Sequence, residues 1–359
     1  MNNLYTLIMA GGSGTRFWPR SKTVKPKQYL NLSGHESLLQ STIKRFSTFT
    51  EPENIYVVSG KSQATVLEEQ TPMLPKANLI YEPVGKNTLP CIGLAAMFTE
   101  KENPHGVMVV TPSDHLIGND ERFRDTILAA VKIAEDRDGI VTIGIIPTYP
   151  ATGYGYVQVE SEIEAYNNVN RFKVRRFVEK PCRKIAAEYL SQGGFYWNSG
   201  LFIFKINVFL EAVRQFAPAL YNNLRKIQEE IGNPSFEHTL ESVYQTVENI
   251  SIDYGIMEFA ENIYLVEGDF VWNDLGSWES VYLTSEKDEN GNAGSGEKVI
   301  VDSKNSYIYS ETGLIALVGM DDVIVVQDGN TTLVCKRDKA EEIKKVVDQL
   351  KAKNKNQYL

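Results

Sequence analysis

The chain has 359 residues, of which 42% are hydrophobic and 23% charged. This length and composition predict a folded protein with more than one domain and disfavour wholesale disorder. The 46 acidic and 37 basic residues give a net charge of −9, which disfavours general nucleic-acid binding because an acidic surface repels phosphate backbones.

Strand-like and helix-like segments alternate through the first half of the chain. Short apolar runs favour buried strands, and helical patterns lie between them. This alternation predicts an α/β fold with a Rossmann-like (GT-A-like) mixed, mainly parallel sheet flanked by helices. Ligands of such sheets bind at the carboxyl ends of the strands. The expected strands are 4–10, 55–59, 107–111 and 140–144, and the expected helices are 37–48, 61–70, 87–101 and 122–135.

From about residue 153 the pattern changes to antiparallel or mixed strands, followed by helices over 207–231 and 253–261. Residues 288–297 are polar and glycine-rich, which predicts a loop or linker. Short strand-like runs then recur with Gly, Asp or Asn between them, and an amphipathic helix ends the chain. The expected domains are 1–287 and a small β-rich, β-helix-like C-terminal domain, 288–359.

Cysteine usage and apolar runs narrow the class of protein. Cys91, Cys182 and Cys335 lie far apart without CxxC spacing, which argues against a disulfide framework or a zinc site. No apolar run approaches the ~20 residues that span a bilayer. The apolar residues 4–10 follow no basic segment and precede two glycines, so they indicate a buried strand, not a signal peptide. The expected location is the cytoplasm.

A glycine-rich turn follows the first expected strand. Gly11, Gly12 and Gly14 let backbone N–H groups approach an anion and adopt positive φ without steric cost. The turn lacks the end of a Walker A motif, and Phe17 occupies the third position of a dinucleotide-binding fingerprint. On its own, the turn also fits a flexible connection with no ligand.

The segment around this turn is basic. Residues 1–35 contain no Asp or Glu, which on an acidic protein indicates either a site for a small polyanion or a solvated basic loop. The cations of the segment are Arg16, Arg20, Lys22, Lys25 and Lys27.

The stretch AGGSGTRFWPRSKTVKPKQ resembles the signature of the sugar-nucleotide pyrophosphorylases, and the resemblance extends over nearly the whole chain. It implies that Arg16 and Lys27 contact the triphosphate of a nucleotide, with Thr15 and the three glycines in the same loop. Fixed cations at this position stabilise the charge that moves onto the departing pyrophosphate.

Two aspartates follow strand-like segments. Asp114 lies in VMVVTPSDHLI and Asp274 in DFVWNDLGSW. Either alone fits a structural turn or a helix cap. The resemblance implies that together they bind Mg²⁺, which prefers oxygen ligands. His115 is expected to form a local hydrogen bond instead of binding the metal.

The motif FVEKP resembles the family's sugar-phosphate element. It implies that Glu179 binds a sugar hydroxyl and Lys180 the sugar phosphate. Adjacent residues on a strand point to opposite faces, so this interpretation needs a bulge or a strand end before Pro181.

Three further motifs resemble substrate-binding elements. WNSG implies a sugar contact for Asn198, and ATGYGY implies backbone access at Gly153. SIDYG contains Asp253, which either binds substrate or caps the helix that follows.

The stretch YEPVGKNT resembles the base-reading loop of mannose-1-phosphate guanylyltransferases, with Glu82, Pro83, Asn87 and Thr88 as candidate nucleotide contacts. Guanine needs acceptors for its N1–H and 2-amino group, which Glu82, Asn87 or backbone carbonyls could supply. Asn87-Thr88 also fits a plain helix N-cap, and both interpretations can hold.

The resemblance therefore implies transfer of GMP from GTP to α-D-mannose 1-phosphate, giving GDP-mannose and pyrophosphate, with Mg²⁺ as cofactor. It also implies a homodimer, and the short tail implies no added isomerase activity. The alternatives are another sugar-1-phosphate nucleotidyltransferase with a different base or sugar, such as heptose 1-phosphate, a nicotinamide-dependent oxidoreductase, and a non-catalytic sugar-nucleotide sensor.

Overall fold

The computed structural model describes residues 3–12, 14–32 and 34–359, so Ser13 of the glycine turn lies outside the described residues. Fifteen strands and ten α-helices occur within these ranges. The strands are β1 (Leu4–Met9), β2 (Ile55–Gly60), β3 (Leu79–Glu82), β4 (Val107–Pro112), β5 (Leu116–Ile117), β6 (Ile140–Ile145), β7 (Tyr156–Tyr166), β8 (Val169–Val178), β9 (Phe195–Lys205), β10 (Ile263–Gly268), β11 (Trp272–Asn273), β12 (Ala293–Val301), β13 (Tyr307–Val318), β14 (Val323–Asp328) and β15 (Thr331–Lys336).

The helices alternate with the strands in the first half and flank the sheet. They are α1 (Leu38–Phe46), α2 (Ala64–Gln70), α3 (Thr88–Glu102), α4 (Asp120–Asp136), α5 (Arg183–Gln192), α6 (Ile206–Phe216), α7 (Pro218–Glu230), α8 (Phe236–Thr246), α9 (Trp278–Thr284) and α10 (Ile343–Ala352). No helix within the described ranges has the length and hydrophobicity needed to cross a membrane.

Nine of the described strands form the main sheet, in the order β3-β2-β1-β4-β9-β6-β10-β8-β7. Strands β1 to β4, β6, β7 and β10 run in one direction, and β8 and β9 run in the other. The sheet is therefore mixed and mostly parallel. The predicted α/β fold class is confirmed.

The sheet has a hydrophobic core on each face because successive strand residues point to opposite sides. In β1, Leu7 packs on one face with α3, α6, α7 and α8, whereas Ile8 packs on the other with α1, α2 and α4. Both side chains are fully buried, and each such burial contributes about 2 kcal/mol to folding. These cores hold the carboxyl ends of β1, β3 and β4 at one edge of the sheet.

A second sheet forms the C-terminal part of the chain, in the order β12-β13-β14-β15. The expectation of a loop over 288–297 is wrong in its second half, since β12 begins at Ala293. The glycines in this strand let its backbone approach β13: a Cβ on Gly294 would lie 1.8 Å from the carbonyl oxygen of Ile308. Two of the short strand-like runs expected after residue 297, with the sequences SYIYS and LIALVG, form one strand, β13.

Two helical expectations also need correction. The expected helix over 253–261 is only a π-helical turn, Asp253–Met257. The expected terminal helix is a 3-10 turn, Arg337–Glu342, followed by α10.

The two sheets are joined by one hydrophobic cluster. Phe17 and Trp18, next to the glycine turn, pack in it with Trp278 of α9, Tyr307 of β13 and Val347 of α10. The cluster contains residues from both sides of residue 288. The domain boundary expected there stays a prediction.

Candidate active site

The glycine turn follows β1 at the carboxyl edge of the sheet. Gly12 and Gly14 have φ of +98° and +53°, in the region that favours glycine. Gln28 holds the start of the turn, because its side-chain amide donates a 2.7 Å hydrogen bond to the carbonyl of Ala10. The turn is thus fixed at one end, while Gly11 and Gly12 stay exposed to solvent.

Lys27 is a buried cation that links the two predicted metal-binding aspartates. Its Nζ lies 2.9 Å from Oδ2 of Asp114 and donates a 2.5 Å hydrogen bond to the backbone carbonyl of Asp274. The side chain of Lys27 is 7% exposed and that of Asp114 30%. Burial disfavours ionisation of Asp114, but the neighbouring charge of Lys27 outweighs it and lowers the pKa of that carboxyl.

A small antiparallel pairing explains why aspartates 160 residues apart meet. β5 pairs with β11, with Leu116 opposite Asn273. Asp114 precedes β5 and Asp274 follows β11, so the pairing places both carboxylates at the same end of this ribbon. The expected convergence of the two acids is present.

Neighbouring aromatic residues fix the orientation of this ribbon. His115 accepts a 3.2 Å hydrogen bond at Nδ1 from the indole N–H of Trp272, so it forms a hydrogen bond as expected, but with a partner 157 residues away in the sequence. Tyr154 donates a 3.0 Å hydrogen bond to Oδ1 of Asp274, and its ring packs edge-on against Trp197 and Trp272.

Three clefts of about 380, 440 and 480 Å³ adjoin one another along the carboxyl edge through shared lining residues, and together we call them the groove. We call them the glycine cleft, the aspartate cleft and the Glu82 cleft. Thr15 lines the first two, Asp114 lines the aspartate and Glu82 clefts, and Glu82 lines the glycine and Glu82 clefts. A ligand with several parts can therefore lie across all three.

Glu82 ends β3 at this edge and is 4% exposed. One carboxyl oxygen accepts a 3.1 Å hydrogen bond from Tyr244, but burial dominates and raises the pKa of Glu82 to about 7. Asn87 is the N-cap of α3, with its side chain accepting from the N–H of Thr88. The expected capping role is thus confirmed. Asn87 and Thr88 also line the Glu82 cleft.

The FVEKP motif adopts the geometry that its interpretation required. β8 ends at Val178, and Lys180 has a φ of +41°, so the strand does not continue through the motif. Glu179 and Lys180 form an ion pair. Gly155 makes room for the glutamate, since a Cβ there would lie 2.5 Å from Oε2 of Glu179.

Asn198 is held in one orientation by its neighbours. Its Oδ1 accepts from Thr142 and from the N–H of Gly200, so its Nδ2 donates to Asp253 over 2.8 Å. Burial, followed by the charge of Glu179, raises the pKa of Asp253 to about 6. The side chain of Asp253 caps no helix: Ser251 accepts from the N–H of Tyr254 at the start of the turn.

The chain is similar to known proteins over nearly its whole length. The sequence model described as Nucleotidyl transferase matches residues 5–291. The one described as MannoseP isomerase/GMP-like beta-helix domain matches 296–350. Mannose-1-phosphate guanylyltransferase 2 of Escherichia coli O157:H7 is 36% identical, covering 99% of this chain and 75% of that protein. The chain belongs to the mannose-1-phosphate guanylyltransferase family of nucleotidyl transferases.

Other members of this family support the same relationship. XanB of Xanthomonas campestris pv. campestris (strain B100), named a xanthan biosynthesis protein, is 37% identical, with 99% of this chain and 75% of XanB covered. A crystal structure from Thermus thermophilus, described as a mannose-1-phosphate geranyltransferase, superposes with a TM-score of 0.86 at 31% identity. The superposition covers 97% of this chain and 99% of the Thermus thermophilus chain.

Most of the residues that the family resemblance singles out lie in or beside the groove. Gly11, Gly12, Thr15 and Pro83 line the glycine cleft, and Arg16 lines the aspartate cleft. Gly153 and the expected sugar-binding residues Glu179, Lys180, Asn198 and Asp253 line none of the three clefts. Close to Gly153 in the chain, Tyr154 contacts Asp274 and Gly155 lies beside Glu179.

Sequence reasoning missed a set of residues from the C-terminal helix. Lys344, Asp348 and Lys351 of α10 line the aspartate cleft. These residues are spaced by four and then three positions, so they lie on one face of the helix. This spacing was the sequence signal for a charged helix face.

Proposed function

We propose that this chain transfers GMP from GTP to α-D-mannose 1-phosphate, giving GDP-mannose and pyrophosphate. The observation that carries the proposal is the position of Lys27, whose ammonium contacts both Asp114 and Asp274 within one groove. Likeness over 99% of this chain to relatives named mannose-1-phosphate guanylyltransferase supports the choice of GTP and mannose 1-phosphate.

The nucleotide follows the groove from Glu82 to Lys27. The buried carboxylate of Glu82 accepts hydrogen bonds from the N1–H and 2-amino group of guanine, beside Pro83. The N–H groups of Gly11 and Gly12, with Thr15, bind the triphosphate. Arg16 and Lys27 balance its charge.

The protein's own ligands fit a Mg²⁺ ion. Asp114 and Asp274 offer hard carboxylate oxygens in one cleft, which is the donor type that Mg²⁺ selects. No cluster of three or more candidate metal ligands occurs among the described residues. Asp114 and Asp274 would hold the ion together with phosphate oxygens and water. When bound there, Mg²⁺ neutralises phosphate charge and orients the reacting groups.

The sugar phosphate binds beside the groove, at the residues of the FVEKP, WNSG and SIDYG motifs. Asn198 and Asp253 bind mannose hydroxyls, Glu179 binds a further hydroxyl, and Lys180 binds the phosphate. Gly153 gives the sugar backbone access at the rim. Lys180 offsets the repulsion between two anionic substrates.

The reaction is an in-line displacement. An oxygen of mannose 1-phosphate attacks the α-phosphorus of GTP, and the bond from that phosphorus to the β-phosphate bridging oxygen breaks. Both electrons of the broken bond leave with pyrophosphate. No general base is required, because a phosphate monoester with a second pKa of about 6 is mostly dianionic at pH 7. Positioning and fixed charges therefore carry the catalysis.

The proposal includes a homodimer, a cytoplasmic location and a domain boundary near residue 288. The homodimer is carried by the family resemblance, and the location and the boundary are carried by the sequence pattern.

A substrate panel tests the proposed function. Pyrophosphate release is measured with four nucleoside triphosphates against the 1-phosphates of mannose, glucose and heptose, with Mg²⁺. We expect GTP with mannose 1-phosphate to give the highest kcat/KM. A preference for another pair assigns a different transferase, and nucleotide-sugar binding without pyrophosphate release indicates a sensor.

Charge-removing variants test the metal and the cation. Asp114→Asn and Asp274→Asn should each lose Mg²⁺-dependent activity while staying folded. Lys27→Ala should depress kcat by roughly a hundredfold or more, as for loss of a group that stabilises transition-state charge. Lys25→Ala, an exposed lysine two residues away, is the matched control. Near-normal rates for Lys27→Ala contradict its role.

A further inference from the structure

Helix α10 forms one wall of the candidate nucleotide site. Lys344, Asp348 and Lys351 line the aspartate cleft together with Lys27 and Asp274. Lys351 also lines the glycine cleft, where Val347 and Leu359 are its neighbours. The end of the chain therefore reaches the place where the triphosphate is proposed to lie.

This segment is fastened to the glycine turn. Ile343 and Val347 are buried in the same cluster as Phe17 and Trp18. The indole N–H of Trp18 donates a 2.8 Å hydrogen bond to the carbonyl of Tyr358. The helix is thus held against the turn by apolar packing and one partly buried hydrogen bond.

The charges in the aspartate cleft are not all available to a ligand. Lys27 is paired with Asp114, and Arg16 is paired over 2.8 Å with Glu341, just before α10. In contrast, the ammonium groups of Lys344 and Lys351 make no ion pair or side-chain hydrogen bond to any described residue. Both ammonium groups are therefore available to bind an anion in the aspartate cleft.

We propose that Lys344 and Lys351 bind the β- and γ-phosphates of the nucleotide, so that the C-terminal helix completes the pyrophosphate site. The inference rests on the proposed function and adds a source of binding energy outside the glycine turn. Two unpaired cations favour a polyanion at this wall, and their exposure leaves them free to reach it.

The Arg16–Glu341 pair fits the same arrangement. Both side chains are about half exposed or more, so the pair contributes little to stability and can exchange. A triphosphate that enters the cleft competes with Glu341 for the guanidinium, while the two lysines hold the phosphates against α10.

The test is the double variant Lys344→Ala/Lys351→Ala. The KM for GTP in the forward reaction and for pyrophosphate in the reverse reaction should each rise roughly tenfold or more, the scale of a lost charge-assisted contact. The KM for mannose 1-phosphate should stay within about twofold, since the proposed sugar-binding residues line neither of the clefts that Lys344 and Lys351 line. Asp348→Asn should act in the opposite direction and lower the KM for GTP, because it removes a like charge from the same wall.

Lys353→Ala is the matched control, with the same charge change per site on an exposed residue that lines none of the three clefts. Thermal unfolding checks that the double variant is folded, and Lys344→Gln/Lys351→Gln repeats the measurement with longer side chains. Unchanged KM values for GTP and pyrophosphate in an active enzyme overturn the inference.

A direct binding measurement separates this inference from the proposed function. Equilibrium dialysis of GTP and of GMP needs no turnover. A selective loss of GTP affinity in the double variant supports the two lysines even if the preferred sugar is not mannose. Equal GTP affinity in the wild type and the double variant overturns their role.

Discussion

The backbone of Gly14 lies against Lys27 so closely that a Cβ at position 14 would sit 2.6 Å from the Cβ of Lys27 and 2.8 Å from its backbone nitrogen. Gly14 also has a positive φ of +53°. The contact holds the 3-10 turn that carries Lys27 beside the glycine turn, which keeps its ammonium at the two aspartates.

Gly14→Ala should therefore lower kcat at least tenfold, because the new Cβ must displace the backbone of Lys27 and so its ammonium. Gly329→Ala is the matched control, since Gly329 has a φ of +55° and no atom within 4 Å of its ideal Cβ. Both substitutions cost about 1 kcal/mol for the left-handed conformation. Steady-state rates and Tm values are compared, and equal kcat for the two variants contradicts the positioning role of Gly14.

A second prediction concerns pH and the base-reading carboxyl. Burial raises the pKa of Glu82 to about 7, so its carboxylate is present above that pH and lost below it. Only the ionised form accepts from both donors of guanine. The KM for GTP should therefore rise as pH falls, by roughly tenfold at pH 6 relative to pH 8.

The γ-phosphate of GTP titrates in the same pH range, so its effect on the KM must be separated from that of Glu82. The reference is therefore Glu82→Gln, whose side chain does not titrate. The variant should bind GTP more weakly at pH 8 and should lose the part of the pH dependence that Glu82 causes. The same profile in both proteins removes Glu82 from guanine recognition.

Local patterns in the sequence were enough to predict much of the main sheet. β1, β2, β4 and β6 are predicted with only the last residue shifted, because buried parallel strands form short apolar runs. The principal site residues are predicted for a different reason: Lys27 lies in a long, specific motif.

The missed features depend on contacts between distant parts of the chain. β12 contains Gly294 and Gly296, and glycines in a polar stretch predict a loop. They belong to a strand here because the backbone of β13 packs closely against them. Tyr154 meets Asp274 across 120 residues of sequence, and Lys351 reaches the turn at Thr15 only through the packing of α10. Neither local periodicity nor composition predicts such contacts between distant residues.

A third prediction tests Tyr154 as a positioning residue. Its hydroxyl donates to Oδ1 of Asp274, a residue that lines the aspartate cleft, and so fixes one of the two carboxylate oxygens. Tyr154→Phe should raise the Mg²⁺ concentration needed for half-maximal activity several-fold, the scale of a lost partner that orients a metal ligand. The apparent KM for mannose 1-phosphate should change less.

Tyr56→Phe is its control, because it removes a similar tyrosine-to-carboxylate hydrogen bond, with Glu102, away from the groove. If the two variants respond to Mg²⁺ alike, the hydroxyl of Tyr154 has no special effect on Asp274.

The last prediction concerns the sugar half of the groove. Asp253 is aligned by the Nδ2 of Asn198, and the Oδ1 of that amide is already committed to Thr142 and Gly200. A carboxylate held in this way can accept from mannose hydroxyls, whereas an amide at the same position offers one acceptor fewer. Asp253→Asn should raise the KM for mannose 1-phosphate roughly tenfold, as expected for loss of a charge-assisted hydrogen bond, and leave the KM for GTP within about twofold. Asp302→Asn is the control, since Asp302 is exposed and its positive φ of +47° also suits asparagine. A rise in the KM for GTP of the same size would show that Asp253 supports the whole groove and does not bind the sugar.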